Sequence, residues 1–245
     1  MNLKTLCFIP CCGAKRPGAA HKSEQELWFE KMGIDTALFL KGRKEMANSI
    51  KSNMPTKALD LYTGNFYQPL DKKIINREIN SGNLRVYIIS AGYGLVDANE
   101  LIHDYDAQMK SKTARMWRDY GLVGIIARVI QTLRPDQVFG FFSGYSYWNP
   151  ASSNYRYFFS EALKSAMKDG YHPIHAGCFY RADGLGQTKI PKSLGLCFQE
   201  ALGKNFSNDF LLRMRNNPHP FPGMAPVIVR YESFSGEVLI CREVQ

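Results

Sequence analysis

A chain of 245 residues, 45% of them hydrophobic and with a mean hydropathy of −0.28, has enough apolar material for one sizeable core. No apolar run is longer than a strand, which excludes a membrane-spanning helix, and the composition excludes a disordered chain or a coiled coil. The 31 Lys and Arg outnumber the 22 Asp and Glu, and the resulting charge of +9 suits attraction to a polyanion as well as a plainly solvated basic surface.

Residues Met1 to Pro10 hold one Lys and no apolar core ahead of a small-residue cleavage site, so no secretory signal is expected and the cytoplasm is the default address. Six cysteines, two of them adjacent (Cys11 and Cys12), make no disulfide framework, and no CxxC or HxxxH pair offers zinc spacing. Reduced thiols, no structural metal, no cofactor and a monomer are expected.

No repeat or low-complexity linker divides the chain, so residues 1–245 read as a single domain. Thr5 to Ile9 reads as a strand entering the turn Pro10-Cys11-Cys12-Gly13. Helical patterns over Ser23 to Lys31 and Asp35 to Asn53 precede a second strand, Ala58 to Tyr62. A helix over Gln68 to Asn80 leads to the strand Val86 to Ser90. The strongest helical period follows, Lys112 to Leu133, with Met116, Tyr120, Val123, Ala127, Ile130 and Leu133 on one face and Arg134-Pro135 as the stop. Within it, Gly121 to Ile125 bears a faint likeness to a helix-hairpin-helix turn but reads more simply as close packing in a continuous helix. Gln137 to Phe142 is a strand, Ser152 to Lys168 a helix, His172 to Ala176 a strand and Pro191 to Leu202 a helix. Val227 to Tyr231 and Val238 to Cys241, joined through Ser233 to Gly236, read as an antiparallel hairpin at one edge. Short apolar strands alternating with helices predict an α/β fold with a mostly parallel central sheet covered on both faces. Ligands of such sheets bind beyond the carboxyl ends of the strands, so the post-strand loops are the candidate site.

Four of these loops are chemically unusual. The first, Pro10 to Gly18, is a small-residue turn carrying Lys15 and Arg16, suited to a phosphate or an electron-rich base edge. It lacks Walker A spacing, and Cys11 and Cys12 have no neighbouring His to mark a thiolate nucleophile. The second, Tyr62 to Gln68, offers Asn65 for base-edge hydrogen bonds and Phe66 and Tyr67 for stacking, although a turn with a hydrophobic edge reads the same. The third is Ser90-Ala91-Gly92-Tyr93-Gly94-Leu95-Val96-Asp97, leading to His103-Asp104-Tyr105-Asp106. Asp104 and Asp106 are two apart and share a face in an extended loop, and one of them suits a general base or the electrostatic partner of a cationic sugar. Asp106 is the first candidate and Asp104 the second. The fourth region, Phe139 to Phe159, holds ten of the chain's 31 aromatics. Phe139, Phe141, Phe158 and Phe159 suit the core, whereas Tyr145, Tyr147 and Trp148, interleaved with Ser143 and Ser146, suit stacking on bases or sugars. Arg115, Arg118, Arg128 and Arg134 on the long helix, Arg213 and Arg215 near the C-terminus, and Lys41, Arg43 and Lys44 are possible phosphate contacts.

Taken together, IPCCGAK, LYTGNFYQ, and SAGYGLVD followed by HDYDAQM resemble the superfamily of YaaA-type peroxide-stress proteins and the related domains near archaeal-type tRNA-guanine transglycosylases. The resemblance covers about Leu6 to Phe159. The superfamily's usual CSxxK stands here as Cys11-Cys12-Gly13-Ala14-Lys15, displaced by one residue, and Asp104 replaces a frequent proline. The resemblance implies a uracil-glycosylase-like three-layer architecture, DNA binding and removal of modified bases. It points to a DNA glycosylase that flips out and excises a modified cytosine, either a glucosylated hydroxymethylcytosine of phage DNA or an oxidised cytosine. In that reading the substrate groups are Cys11, Cys12, Lys15, Asn65, Phe66, Tyr67, Ser90, Gly92, Tyr93, Ser143, Tyr145, Tyr147 and Trp148. Arg16, Arg115, Arg118 and Arg213 would hold the backbone of duplex DNA. Hydrolysis assisted by Asp106 or Asp104 and a Schiff-base route through Lys15 both remain open. Two other classes stay open as well: a non-enzymatic DNA-binding stress protein, and an enzyme acting on a free nucleotide or nucleoside.

Overall fold

The computed structural model describes residues 3–17, 28–51, 55–144 and 155–235. Its centre is a six-stranded sheet built from β1 (Thr5–Pro10), β3 (Leu84–Ser90), β4 (Gly94–Asp97), β6 (Gln137–Phe142), β7 (His175–Asp183) and β8 (Ile228–Ser233), in the order β4-β3-β1-β6-β7-β8. The four inner strands are parallel, while β4 and β8 run antiparallel at the two edges. The residues of β1 and β6 alternate between two covered faces. Phe141 sets its ring edge against Phe198 of α8 (Lys189–Gly203), and the next residue, Phe142, packs on Phe159 of α7 (Tyr155–Lys168). Helices therefore cover both faces of a mostly parallel sheet, as the alternation of elements predicts.

Several local expectations are corrected. The run Ala58 to Tyr62 is not a strand: Thr56–Lys57 (β2) pairs antiparallel with Leu101–Ile102 (β5), and Ala58–Leu61 then forms a one-turn helix, α3. A five-residue apolar run carries no distinguishing period, and here Ala58, Leu59 and Leu61 are all buried by a helical turn. The predicted long helix is two helices, α5 (Ser111–Asp119) and α6 (Leu122–Leu133). Between them Gly121 adopts φ +75°, a left-handed conformation that glycine takes without steric cost and that a continuous helix forbids. The strand expected at His172 to Ala176 begins three residues later and runs on to Asp183, because β8 pairs along its whole outer side. The sequence SAGYGLVD is not an open loop. It turns β3 back into β4, with Ser90 opposite Gly94.

The other helices are α1 (Trp28–Lys31), α2 (Ala37–Glu45), α4 (Lys72–Asn80) and α9 (Asn208–Asn216), the last of which no sequence pattern suggested. The start of the first predicted helix, the first residues of Ser152 to Lys168 and the strand expected at Val238 to Cys241 lie outside the described residues. Among the described residues no helix is long and apolar enough to cross a membrane.

Candidate active site

The sheet order places the switch point between β1 and β6. From β1 the chain crosses first to β3 on one side and only later to β6 on the other, the kind of switch point beyond whose strand ends open α/β sheets form a ligand crevice. Cys11 stands at its floor directly after β1, its amide still bonded to Ile89 O. Its Sγ lies 3.2 Å from the hydroxyl of Tyr155, the first residue of α7, and accepts from the Ala91 amide at 3.4 Å. This thiol thus ties together the ends of β1 and β3 and the start of α7.

The first two loops are stitched to one another. Lys15 pairs with Tyr62 in an antiparallel bridge, the Arg16 amide donates to Leu61 O, and the Thr63 amide to Ala14 O. Cys12 Sγ accepts from the Gly64 amide at 3.3 Å and donates to Ala14 O at 3.0 Å, and burial, its strongest influence, raises the thiol's pKa. The backbone pairing turns the Lys15 side chain inward, where it is only 4% exposed. Its ammonium donates to Tyr105 O at 2.9 Å, sits 4.0 Å from the centre of the Tyr105 ring and lies 3.9 Å from Asp104 Oδ1.

Tyr105 organises the rest. Its hydroxyl meets Tyr62 Oη at 2.9 Å and accepts from Ser90 Oγ at 3.0 Å, while Ser90 Oγ also accepts from the Tyr93 amide. The ring lies flat under Gly92, where a Cβ would come within 2.6 Å of it, so the close approach requires glycine. Burial pushes the hydroxyls of Tyr62, Tyr105 and Tyr155 well above the usual phenol range, which keeps three neutral hydroxyls around Cys11. The segment carrying Tyr105 is held by an isolated Ile50–Tyr105 bridge, with the Lys51 amide bonded to Asp104 O and the Asp106 amide to Ser49 O.

The structure brings together Cys11, Cys12, Lys15, Ser90, Gly92, Tyr93 and Asp104. It does not bring Asp106 to them. That carboxylate is 70% exposed and paired with Lys51 at 2.9 Å, and this partner, first by hydrogen bond and then by charge, holds it below the usual carboxylate range. Asp104 is 24% exposed, the better shielded of the two. Phe66 and Tyr67 are buried rather than open for stacking, because Phe66 packs on Phe198 and Tyr67 stacks on Tyr62 while donating to Pro10 O. Asn65 is half-buried in the same turn, and Ser143 is exposed at the end of β6. Tyr145, Tyr147 and Trp148 lie outside the described residues.

Of the cations expected on DNA, Arg16 and Arg115 are exposed and Arg118 lies over the Tyr157 ring at 5.9 Å. Arg213 is corrected: it bonds Glu200 at 2.6 Å and lies over Phe210, so it ties α9 to α8. Arg43 is equally structural, bonding Glu100, Tyr93 O and Leu95 O. Sequence reasoning missed Tyr62, Tyr105 and Tyr155 as one network, since three tyrosines at unrelated spacings carry no linear motif. It also missed Lys72, whose ammonium supports the second loop through Tyr62 O and Asp60 O, and whose pKa is lowered chiefly by burial.

Among the described residues no group of three or more His, Cys, Asp or Glu side chains is placed to hold a metal ion. No curated protein matches the chain. Residues 47–176 match the family of unknown function DUF6884, a stretch that takes in Tyr62, Ser90, Asp104, Tyr105 and Tyr155 but begins after Cys11 and Lys15. Since the match covers just over half of the chain, the protein belongs to this family.

Proposed function

We propose that the protein is a DNA glycosylase that works in the cytoplasm, takes a modified cytosine out of duplex DNA and hydrolyses its N-glycosidic bond to leave an abasic site. The observation that carries this reading is the Asp104–Lys15 pair, a carboxylate and an ammonium held 3.9 Å apart beside the crevice. As the bond from C1′ to the base breaks, the sugar gains positive charge and the base leaves with the electron pair. A fixed pair of opposite charges separated by about the width of that bond and its two atoms matches the charge separation of the transition state. Asp104 faces the sugar, orients water and takes its proton as the water oxygen bonds to C1′. Lys15 steadies the charge on the departing base, which then acquires a proton. Asp104 replaces Asp106 as the first catalytic candidate because Asp106 is engaged at the surface by Lys51.

The partner of the basic surface is then the phosphate backbone, reached by Arg16 and Arg115, and duplex affinity is expected to fall with salt at about 0.9 log units per log unit for each phosphate contacted. The test is base release, read by mass spectrometry and by alkaline strand cleavage, from duplexes carrying 5-hydroxymethylcytosine, its glucosylated form or an oxidised cytosine. Asp104→Asn and Lys15→Met are each expected to slow release about 10²–10³-fold, the usual cost of removing one preorganised charge stabiliser. Asp106→Asn is expected to keep the wild-type rate. Failure of the wild type to release any of these bases overturns the reading, and full activity of Asp104→Asn removes that residue from its role.

A further inference from the structure

We propose that a cleft at the amino end of β1 and β3 binds a free α-amino acid with an apolar side chain. The site is independent of the glycosylase reading, because it lies at the opposite end of these strands from Cys11 and Ser90. Thr5 and Leu84 stand side by side as the first residues of β1 and β3, and five strand steps, roughly 17 Å, separate Thr5 from Pro10. The cleft has a volume of about 370 Å³ and is lined by these strand starts, by α4 and by the turn that follows α8.

Its floor is apolar and its rim is charged. Leu84, Leu202 and Phe206 form the floor and are all buried, while Lys4, Glu78, Asn83 and Asn205 stand around it. Among the described residues the Lys4 ammonium and the Asn205 carboxamide have no side-chain partner. Asn83 donates through Nδ2 to Glu78 Oε2 at 3.3 Å, which leaves its Oδ1 available as an acceptor. That hydrogen bond, and after it the Arg77 guanidinium, hold the Glu78 carboxyl below the usual carboxylate range, so a negative charge stays on this side of the rim. A cation on one side, with an anion and carboxamides on the other, complements the carboxylate and the ammonium of an amino acid, and the floor receives its side chain. A phosphate ester would meet Glu78, and a simple amine would meet Lys4.

The turn that brings Asn205 to the rim is strained. Asn205 and Phe206 both have φ +50°, a left-handed value that asparagine tolerates and a bulky phenylalanine rarely takes. The Phe206 amide donates to Ala201 O at 2.8 Å and its ring stacks on Phe139 at 4.9 Å, and these contacts pin the turn. Capping a helix end requires one left-handed residue, not two. With both in place, Phe206 is buried in the floor while Asn205 stays exposed at the rim, and strained backbone of this kind gathers at ligand sites.

The test is calorimetric titration of the full-length protein with L-leucine and L-phenylalanine. Saturable binding with a Kd below about 1 mM is expected for at least one of them, as ligands of this size allow. Isoamylamine and isocaproate keep the leucine side chain but lack its carboxylate or its ammonium, and each should bind about tenfold more weakly or worse. Lys4→Met should weaken amino-acid binding to a similar degree. Asn205→Gly is the sharper variant: glycine takes φ +50° without steric cost, so it should melt no lower than the wild type and still lose about tenfold in affinity. Absence of binding by both amino acids at about 10 mM overturns the proposal. So does equally tight binding of either truncated analogue, or undiminished affinity in either variant. None of these outcomes bears on base release, which depends on residues at the far ends of the strands.

Discussion

Above pH 10 the protein is expected to unfold in a single cooperative step within about two pH units, driven by tyrosines that cannot ionise while folded. Tyr62, Tyr67, Tyr105 and Tyr155 have pKa values pushed well above the phenol range, and Tyr87 is also raised, in each case chiefly by burial. Below the unfolded-state value, near 10, both states keep these protons and pH has no leverage. Above it the unfolded chain releases them and the folded chain does not, so each group removes about 1.4 kcal/mol of stability per pH unit. Five such groups remove about 7 kcal/mol per unit, comparable to the whole stability of an ordinary domain. The buried thiols of Cys7 and Cys197, and that of Cys178, raised to about 12, act in the same direction from a lower pH. Tyrosinate absorbance and far-UV circular dichroism recorded together would check this. The five buried tyrosines should ionise only as the ellipticity collapses. Smooth ionisation of all of them ahead of any loss of ellipticity would contradict it.

Arg43→Met is expected to cost about 3–5 kcal/mol, the usual penalty for leaving one buried charge without its partner. The Arg43 and Glu100 side chains are 12% and 4% exposed and meet at 2.6 Å. The same guanidinium holds Tyr93 O and Leu95 O and lies over the rings of Phe29, Phe39 and Tyr93. Removing it strands the Glu100 carboxylate, whose remaining partners include the Asp97 amide, and frees the turn between β3 and β4. Urea denaturation of Arg43→Met, Glu100→Leu and the double variant separates the effects. The double variant should be clearly more stable than the sum of the two single losses predicts, because neither charge is then left alone. Strict additivity would show that the pair is not coupled.

The sequence pattern was most readable where strands are continuous and buried. Gln137 to Phe142 and the core of Thr5 to Pro10 are apolar runs bounded by turn residues, and both strands sit in the middle of the sheet. It was least readable where one residue redirects the chain. Gly121 interrupts a flawless helical period through a backbone angle that the hydrophobic spacing does not register, and Gly94 follows a turn that converts an apparent loop into strand β4. The site shows the same division. Lys15, Cys11 and Asp104 were recognisable as chemistry-bearing residues in post-strand loops, but the choice between Asp104 and Asp106 depended on which carboxylate Lys51 captures, and Lys51 reaches Asp106 because the isolated Ile50–Tyr105 bridge sets the two segments side by side. Likewise Phe66 and Tyr67 looked like a stacking platform until Phe198 and Tyr62 covered them.

The place of β1 in the middle of the sheet also governs how the chain assembles. Its partners are β3 on one side and β6 on the other, and the hydrogen bond from Thr5 to Gln137 closes a separation of 132 residues. Such a strand gains little until distant segments arrive, so folding is expected to be slow and dominated by long loop closures. During synthesis the first strand must wait, half-paired at best, until more than half of the chain has left the ribosome. The crevice, which needs the ends of both β1 and β6, forms only after that wait.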